Sequence, residues 1–267
     1  MSYWQNKVVV VTGGSSGLGR MIAETFGNAG SRLAIVALEN NDVQRAAEEM
    51  TAAGIETFPL CANITKQDDV NRVFHDIAEH FGQIDVLVNN AGRSMRGRVL
   101  ETTPEQFQSL FELNVLGTIR CTQAAVPHLR KTKGHIINIG SLAAKSASRW
   151  VGAYPVSKFA VAAFSQQLRL ELAPEGIHTL LVCPGPIQRD SERLYQLEGI
   201  AGVPENALQP GAGVKVGKIS PKYLAERILK ACEKRKPELV IPARAKILFA
   251  IAQLCPSFGD WLVLKNT

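Results

Sequence analysis

With 267 residues, 46% of them hydrophobic and 20% charged, the chain has the make-up of a globular protein large enough for one well-buried α/β domain; no low-complexity tract or internal repeat points to a fibrous or solenoid architecture. The formal charge of +6 falls in short clusters (Arg93, Arg96 and Arg98; Arg130, Lys131 and Lys133; Lys234, Arg235 and Lys236) without interleaved aromatics, so these are expected on solvated surface and nucleic acid is not an expected partner. Cys61, Cys121, Cys183, Cys232 and Cys255 form neither a C-x-x-C pair nor a disulfide framework, the histidines show no metal-ligand spacing, and neither a signal peptide nor an apolar run of ~18–20 residues is found, so a cytoplasmic protein with reduced thiols, no metal and no membrane span is expected.

Residues 7–12 are a nearly continuous β-branched run, the pattern of a parallel strand buried on both faces. Gly13-Gly14-Ser15-Ser16-Gly17-Leu18-Gly19 follows at once, and helical periodicity then runs through Met21, Ile22, Thr25 and Phe26. Strand, glycine turn and helix in this order form a phosphate cradle, because glycines let backbone N–H groups approach a pyrophosphate and the helix N-terminus carries partial positive charge. Residues 32–37 make the second strand, whose end would approach the ribose of a dinucleotide. It offers Ala37, Leu38 and Glu39, with neither an Asp for a 2′-hydroxyl nor an Arg for a 2′-phosphate.

A helix over 42–53 leads to a strand over 56–60 and then to Asn63, placed either to meet an adenine edge or to form a turn. A helix over 67–81 and a strand over 84–88 follow. That strand runs into Asn89, Asn90, Ala91 and Gly92, small enough for a cofactor to lie across them. Thr103 and Pro104 have the form of an N-cap and first turn, and the helix they start is expected to run through Asn114 toward Arg130. Asn114 stands among apolar neighbours and must find partners: a water, a backbone bend or ordinary structural hydrogen bonds.

A strand over 135–139 delivers Ser141, and a loop then delivers Tyr154. Pro155 is tolerated only in a first helical turn, so a helix begins within a few residues before Tyr154. On that helix Tyr154 and Lys158 stand at i and i+4 on one face, with the ammonium beside the phenol. A free tyrosine titrates near ~10, and a neighbouring cation favours the phenolate, which makes Tyr154 a candidate acid/base. Residues 159–164 are apolar on more than one face, as expected of a helix buried partly against a second subunit. After a strand over 177–183 and Pro184-Gly185-Pro186, the glycine-rich connection 187–218 is expected to be a substrate lid. A last helix from Ser220 to about Glu233 and a strand over 239–241 complete the alternation. Such alternation implies an α/β fold of one domain, residues 1–243: a doubly wound parallel sheet of about seven strands with helices on both faces, followed by an apolar extension, 244–267.

Taken together, Thr12-Gly13 with Gly17-Leu18-Gly19, Asn89-Asn90-Ala91-Gly92, Asn114, Ser141, Tyr154 with Lys158, and Pro184-Gly185 closely resemble the short-chain dehydrogenase/reductase family over roughly residues 5–242. The resemblance implies a Rossmann fold and hydride transfer between NAD(P)(H) and a carbonyl/alcohol pair. Tyr154 would be the general acid/base and Ser141 would polarise the substrate oxygen. Lys158 would assist Tyr154 and hold the nicotinamide ribose, and Asn114 would hold a proton-relay water. Gly13, Ser15, Ser16, Gly17, Leu18, Gly19, Leu38, Asn63, Ile64, Asn90, Ala91, Gly92, Pro184, Gly185 and Ile187 would join Tyr154 and Lys158 in contacting the cofactor.

There are departures from the family pattern. Asn63 replaces an Asp against adenine and keeps an acceptor; Arg189 replaces the Thr that anchors the carboxamide. With no carboxylate at Ala37 and with donors at Ser15 and Ser16, a slight preference for NADP(H) over NAD(H) is expected, opposed by Glu39. The texture of residues 89–98 and 241–246 is similar to the hydroxysteroid and retinol dehydrogenase-like branch, implying a lipophilic substrate, and the family implies a homodimer or homotetramer. A non-catalytic nucleotide sensor or scaffold on the same fold is the alternative; retention of Ser141, Tyr154 and Lys158 together argues for an enzyme. For the extension, the first apolar segment, 245–255, is about half the ~20 residues a membrane span needs, and Pro256 and Gly259 are expected to break any lengthening of it. The segment is expected either to pack over the cleft or a neighbouring subunit, or to touch a membrane surface peripherally, flanked by Arg244, Lys246 and Lys265.

Overall fold

The computed structural model describes residues 2–188, 203–208, 211–212 and 216–266. The sequence readings at Arg189, Gly199, Gly202 and Gly213, and most of the connection expected to be a substrate lid, lie outside the described residues. Seven strands, β1 (Val8–Thr12), β2 (Arg32–Ala37), β3 (Thr57–Cys61), β4 (Val86–Asn89), β5 (His135–Ile139), β6 (His178–Pro184) and β7 (Glu238–Ile241), form one sheet in the order β3-β2-β1-β4-β5-β6-β7. All six pairings are parallel.

The valines of β1 show why both faces must be covered. Val9 and Val11 pack with Ile22 and Phe26 of α1 (Gly17–Asn28), Met50 of α2 (Asn40–Ala52) and Ile228 of α7 (Pro221–Glu233). Val8 and Val10 pack with Val73 and Ile77 of α3 (Gln67–Phe81) and Leu129 of α5 (Gly117–Thr132) on the other face, where Leu172 of α6 (Tyr154–Leu172) also lies. Each fully buried valine contributes roughly 1.5–3 kcal/mol.

The structure differs from the sequence reading in four places. The helix expected through Asn114 is interrupted: α4 (Pro104–Phe111) enters a π-helical turn (Glu112–Leu116) before α5 resumes. A π-turn adds one residue to the helical circuit, and here the buried Asn114 within it bonds to both backbone groups of Arg93. The start of α4 is as expected, with Thr103 and Gln106 forming a reciprocal capping box.

The extension forms two helices, α8 (Ala245–Leu254) and α9 (Pro256–Asn266). The first segment stops before Pro256 as expected, but Gly259 sits within a second helix without breaking it. A Cβ there would stand 2.5 Å from Ala252 Cβ, so the glycine is what lets the two helices touch. Arg96, expected on solvated surface, is buried; its Nε donates to Ala207 O at 2.6 Å and its Nη1 to Met95 O at 2.9 Å.

The fourth difference is a buried histidine pair at the amino ends of β5 and β6, which spacing did not reveal. His178 Nε2 donates to Lys236 O at 2.8 Å, so its Nδ1 accepts from His135 Nδ1 at 2.9 Å, and His135 Nε2 accepts from Tyr3 OH at 2.8 Å. Both rings are therefore neutral, and burial holds His135 down to about 3 and His178 below its ordinary value. Cys232 Sγ lies within 4.8 Å of the pair's nitrogens, yet every ring nitrogen already has a protein partner.

Candidate active site

A cleft of about 1760 Å³ opens at the carboxyl ends of the strands. It is lined by every described residue singled out from the sequence for the cofactor or the chemistry except Asn114, which is buried behind the wall. The carboxyl edge of a parallel sheet collects such groups because each strand there hands its chain to a loop.

At one end lies the glycine turn. Gly13 has φ +65° and Gly17 φ +53°, left-handed values that suit glycine, and a Cβ on Gly19 would stand 2.1 Å from Gly13 O. Asn90 braces the turn: its Nδ2 donates to Thr12 O at 3.0 Å and to Gly13 O at 3.2 Å, while Thr12 Oγ1 accepts the N–H groups of Asn90 and Ala91. The Ser16 side chain makes no capping bond to α1, and the first turn of that helix carries no acidic residue. Uncapped amides and a dipole facing the cleft fit a pyrophosphate.

At the ribose end, Leu38 is 60% exposed and lines the cleft with Glu39, Asp42, Arg45 and Arg20. Arg45 pairs with Asp42 at 3.1 Å, and Arg20 is held by Glu24 and Glu49. Asn63 lines the cleft and also makes a turn, its Oδ1 accepting from Thr65 N at 3.0 Å and Thr65 Oγ1 at 2.8 Å. The acceptor expected to be retained for adenine is therefore committed to Thr65.

At the other end stand Ser141, Tyr154 and Lys158. Tyr154 opens α6 with Pro155 beside it in the first turn. The preceding loop is pinned to residues 95–97: Gly152 N donates to Gly97 O at 2.9 Å, and Gly97 N to Trp150 O at 3.1 Å. One turn on, Lys158 is 7% exposed, and its Nζ lies 5.8 Å from the Tyr154 ring centre and donates to Ile139 O at 2.8 Å. Burial pulls the ammonium down to about 8. Ser141 Oγ accepts the N–H of Ala143 at 3.1 Å, at the start of a 3₁₀ turn (Leu142–Ala144). The bond engages a lone pair and leaves the O–H proton to donate into the cleft.

Asn114 acts from behind this group. Its Oδ1 accepts Arg93 N at 2.9 Å, and its Nδ2 donates to Arg93 O at 2.9 Å and Ser157 Oγ at 3.1 Å. The side-chain amide thus spends both N–H donors and one Oδ1 lone pair on protein partners. A second buried chain, Asn89 to Asn138 at 2.9 Å and Asn138 to Ser165 at 2.9 Å, ties β4 and β5 to α6.

Beyond Tyr154 the walls are Leu142, Val151 and, from the extension, Leu248, Phe249, Leu262 and Val263. Their apolar run was visible in the sequence, but only tertiary packing assigns the four extension residues to the cleft.

Sheet order and the position of the cleft define a doubly wound α/β protein whose cleft lies where such folds bind nucleotides. The chain belongs to the short-chain dehydrogenase family, whose model, described as short chain dehydrogenase, matches residues 7–196. It is similar to a dehydrogenase/reductase SDR family protein 7-like from Drosophila melanogaster, 30% identical and covering 97% of this chain and 80% of that protein. Dehydrogenase/reductase SDR family member 7B from Bos taurus is 31% identical over 90% of this chain and 74% of its own. Among solved structures, a short-chain dehydrogenase from Streptomyces avermitilis matches with TM-score 0.80 at 30% identity, covering 97% of this chain and 96% of that one. A short-chain dehydrogenase/reductase from Burkholderia phymatum, solved in complex with NAD, shares the fold with TM-score 0.85 at 23% identity, over 97% of this chain and 96% of that one. The protein is an NAD(P)-dependent dehydrogenase/reductase.

Proposed function

We propose that the chain interconverts a lipophilic carbonyl compound and its alcohol, with Tyr154 as general acid/base. The observation that carries this is the placing of Tyr154, Lys158 and Ser141 in one cleft continuous with the glycine turn. Bound nicotinamide supplies or receives the hydride at the substrate carbon. The turn at Gly13–Gly19 would hold the pyrophosphate, and Tyr154 and Lys158 the ribose beside the nicotinamide. In the reducing direction the carbonyl π pair moves to oxygen as hydride arrives, and that oxygen takes the Tyr154 proton. Ser141 donates its O–H to the same oxygen. Below pH ~8 the Lys158 ammonium stabilises the tyrosinate left behind, and solvent returns the proton.

Both cofactors are accommodated, with a slight preference for NADP(H). Ala37 offers no carboxylate against a 2′-phosphate, and Arg20 and Arg45 line that end of the cleft; Glu39 and Asp42 oppose them and keep the preference small. The apolar walls Leu142, Val151, Leu248 and Phe249 support a lipophilic substrate.

The test is NADPH and NADH turnover on carbonyl compounds of graded apolar size, with Tyr154→Phe in parallel. Expected is turnover rising with apolar size and falling ~10²–10⁴-fold in the variant, while cofactor binding stays near wild type. Near-wild-type turnover in Tyr154→Phe would sink the assignment, and tighter binding of NADH would refute the cofactor preference.

A further inference from the structure

The outer surface of the α8–α9 hairpin is left without a protein partner among the described residues. Ile247, Ile251 and Leu254, at i, i+4 and i+7 of α8, are 68%, 38% and 87% exposed; Phe258, Trp261 and Leu264 of α9 are 44%, 50% and 53% exposed. The inner side is occupied: Leu248, Phe249, Leu262 and Val263 line the cleft, and Gly259 packs on Ala252. Contiguous exposed apolar surface of this kind marks an interaction site.

The arrangement of charge selects the partner. Ala252 meets Gly259 beside the turn at Cys255, and Leu248 and Phe249 of α8 line the same cleft as Leu262 and Val263 of α9, so the two helices fold back on one another as a hairpin. The start of α8, with Arg244 and Lys246, therefore shares the open end of the hairpin with Lys265 of α9; all three are exposed, and Lys265 Nζ stands 5.0 Å over the Trp261 ring. Lys246 makes only a long contact, 3.9 Å, to Glu238. Leu254 and Phe258 are at the opposite, apolar tip. Asp260 is the only acidic residue from 244 to 266. An aromatic ring beside a lysine, with cations at one end and an apolar tip at the other, matches the gradient from headgroups to acyl chains. A second copy of this chain would bring the same positive end, whereas anionic headgroups neutralise it. Each helix is ~15 Å long, about half the hydrocarbon thickness of a bilayer. No helix among the described residues is long and apolar enough to cross a membrane.

We propose that the α8–α9 hairpin docks the protein on an anionic membrane surface, its tip in one leaflet and its basic end among the headgroups. Because the inner side of the same helices walls the cleft, docking brings the cleft mouth to the lipid surface.

The test is co-flotation of the full chain with phosphatidylcholine/phosphatidylserine vesicles (about 7:3) and with pure phosphatidylcholine vesicles at ~0.15 M salt. The expected result is flotation with the anionic vesicles, reduced by about tenfold or more in a Leu254→Asp/Phe258→Asp variant. Neither residue lines the cleft, and the variant's fold is checked by NADPH binding and circular dichroism. Brominated phosphatidylserine should quench a fluorescence component that Trp261→Phe removes. Absence of flotation, flotation unchanged in the tip variant, or equal flotation with neutral vesicles overturns the proposal. So does a tip variant that changes the vesicle-free mass in light scattering, since the face is then covered by a second copy.

Discussion

Asn114 Nδ2 lies 3.1 Å from Ser157 Oγ, and Ser157 Oγ in turn donates to Tyr154 O at 2.8 Å. The π-turn and the first turn of α6 are thereby joined, with Arg93 clamped at the far side of the same amide. Asn114→Ala removes three bonds and leaves the Arg93 backbone groups unpaired. A loss of about 2 kcal/mol is expected, a fall in Tm of roughly 4–8 °C for a chain of this size. kcat should fall by more than cofactor affinity, because the clamp holds the Tyr154 turn and not the glycine turn. Thermal melts and NADPH titration check both parts.

Lys158 combines stability cost with chemical use. Its ammonium is held at about 8 against an ordinary 10.5, so the unfolded chain keeps the proton to higher pH than the folded one. Stability therefore rises as pH climbs from about 8 toward 10.5, the folded state having shed a charge that is unfavourable to bury. That shift corresponds to about 3 kcal/mol at neutral pH. Lys158→Met loses the bond to Ile139 O but also the buried charge, so its cofactor-free Tm at pH 7 should exceed wild type while turnover collapses. A lower Tm would show that the Ile139 bond outweighs desolvation.

The His135–His178 pair gives a slope of the same sign and the same desolvation origin at lower pH. With His135 at about 3 against an ordinary 6.5, the unfolded chain binds the proton first as pH falls. Stability is fully present above 6.5 and is lost between 6.5 and about 3. At pH 5 the cost from His135 is about 2 kcal/mol. Melting curves from pH 7 to 4.5 should show this decline, and His135→Gln should flatten it; an unchanged slope in that variant would place the acid sensitivity elsewhere.

On α6, Val156 and Phe159 are 46% and 42% exposed, a pair of apolar side chains on the outer face of the helix that begins with Tyr154. A homo-oligomer through this face is expected, and Phe159→Glu should reduce its mass in light scattering at micromolar concentration. A wild-type monomer under those conditions would refute it.

The strands were legible because parallel strands buried on both faces need β-branched residues throughout, and the run Val8–Val11 meets that need without a break. The glycine turn and the Tyr154/Lys158 pair were legible because each depends on short spacing. The π-turn was not, since residues 110–118 have ordinary helical periodicity and the extra residue is set by Arg93, which lies on another loop. Gly259 reads as a breaker until Ala252 stands against it. Arg96 likewise reads as surface charge until the carbonyl of Ala207 claims it. His135 and His178 become neighbours only through the β5–β6 register. What local spacing encodes could be read; what a distant partner imposes could not.

The strand order also governs how the chain acquires its shape. β1 lies between β2 and β4: Val9 pairs with Leu33 on one side and with Val86 on the other. Closing the second pairing brings together segments far apart in sequence, and the chain must give up the entropy of that closure before the contact forms. During synthesis β1 and β2 can pair early, but one edge of β1 stays open until β4 emerges. An apolar strand edge held open for that interval is a template for wrong partners. The central strand that carries the glycine turn is thus the one most dependent on late-arriving chain, and the nucleotide cradle can close only after the Asn90 segment has taken its place beside Thr12.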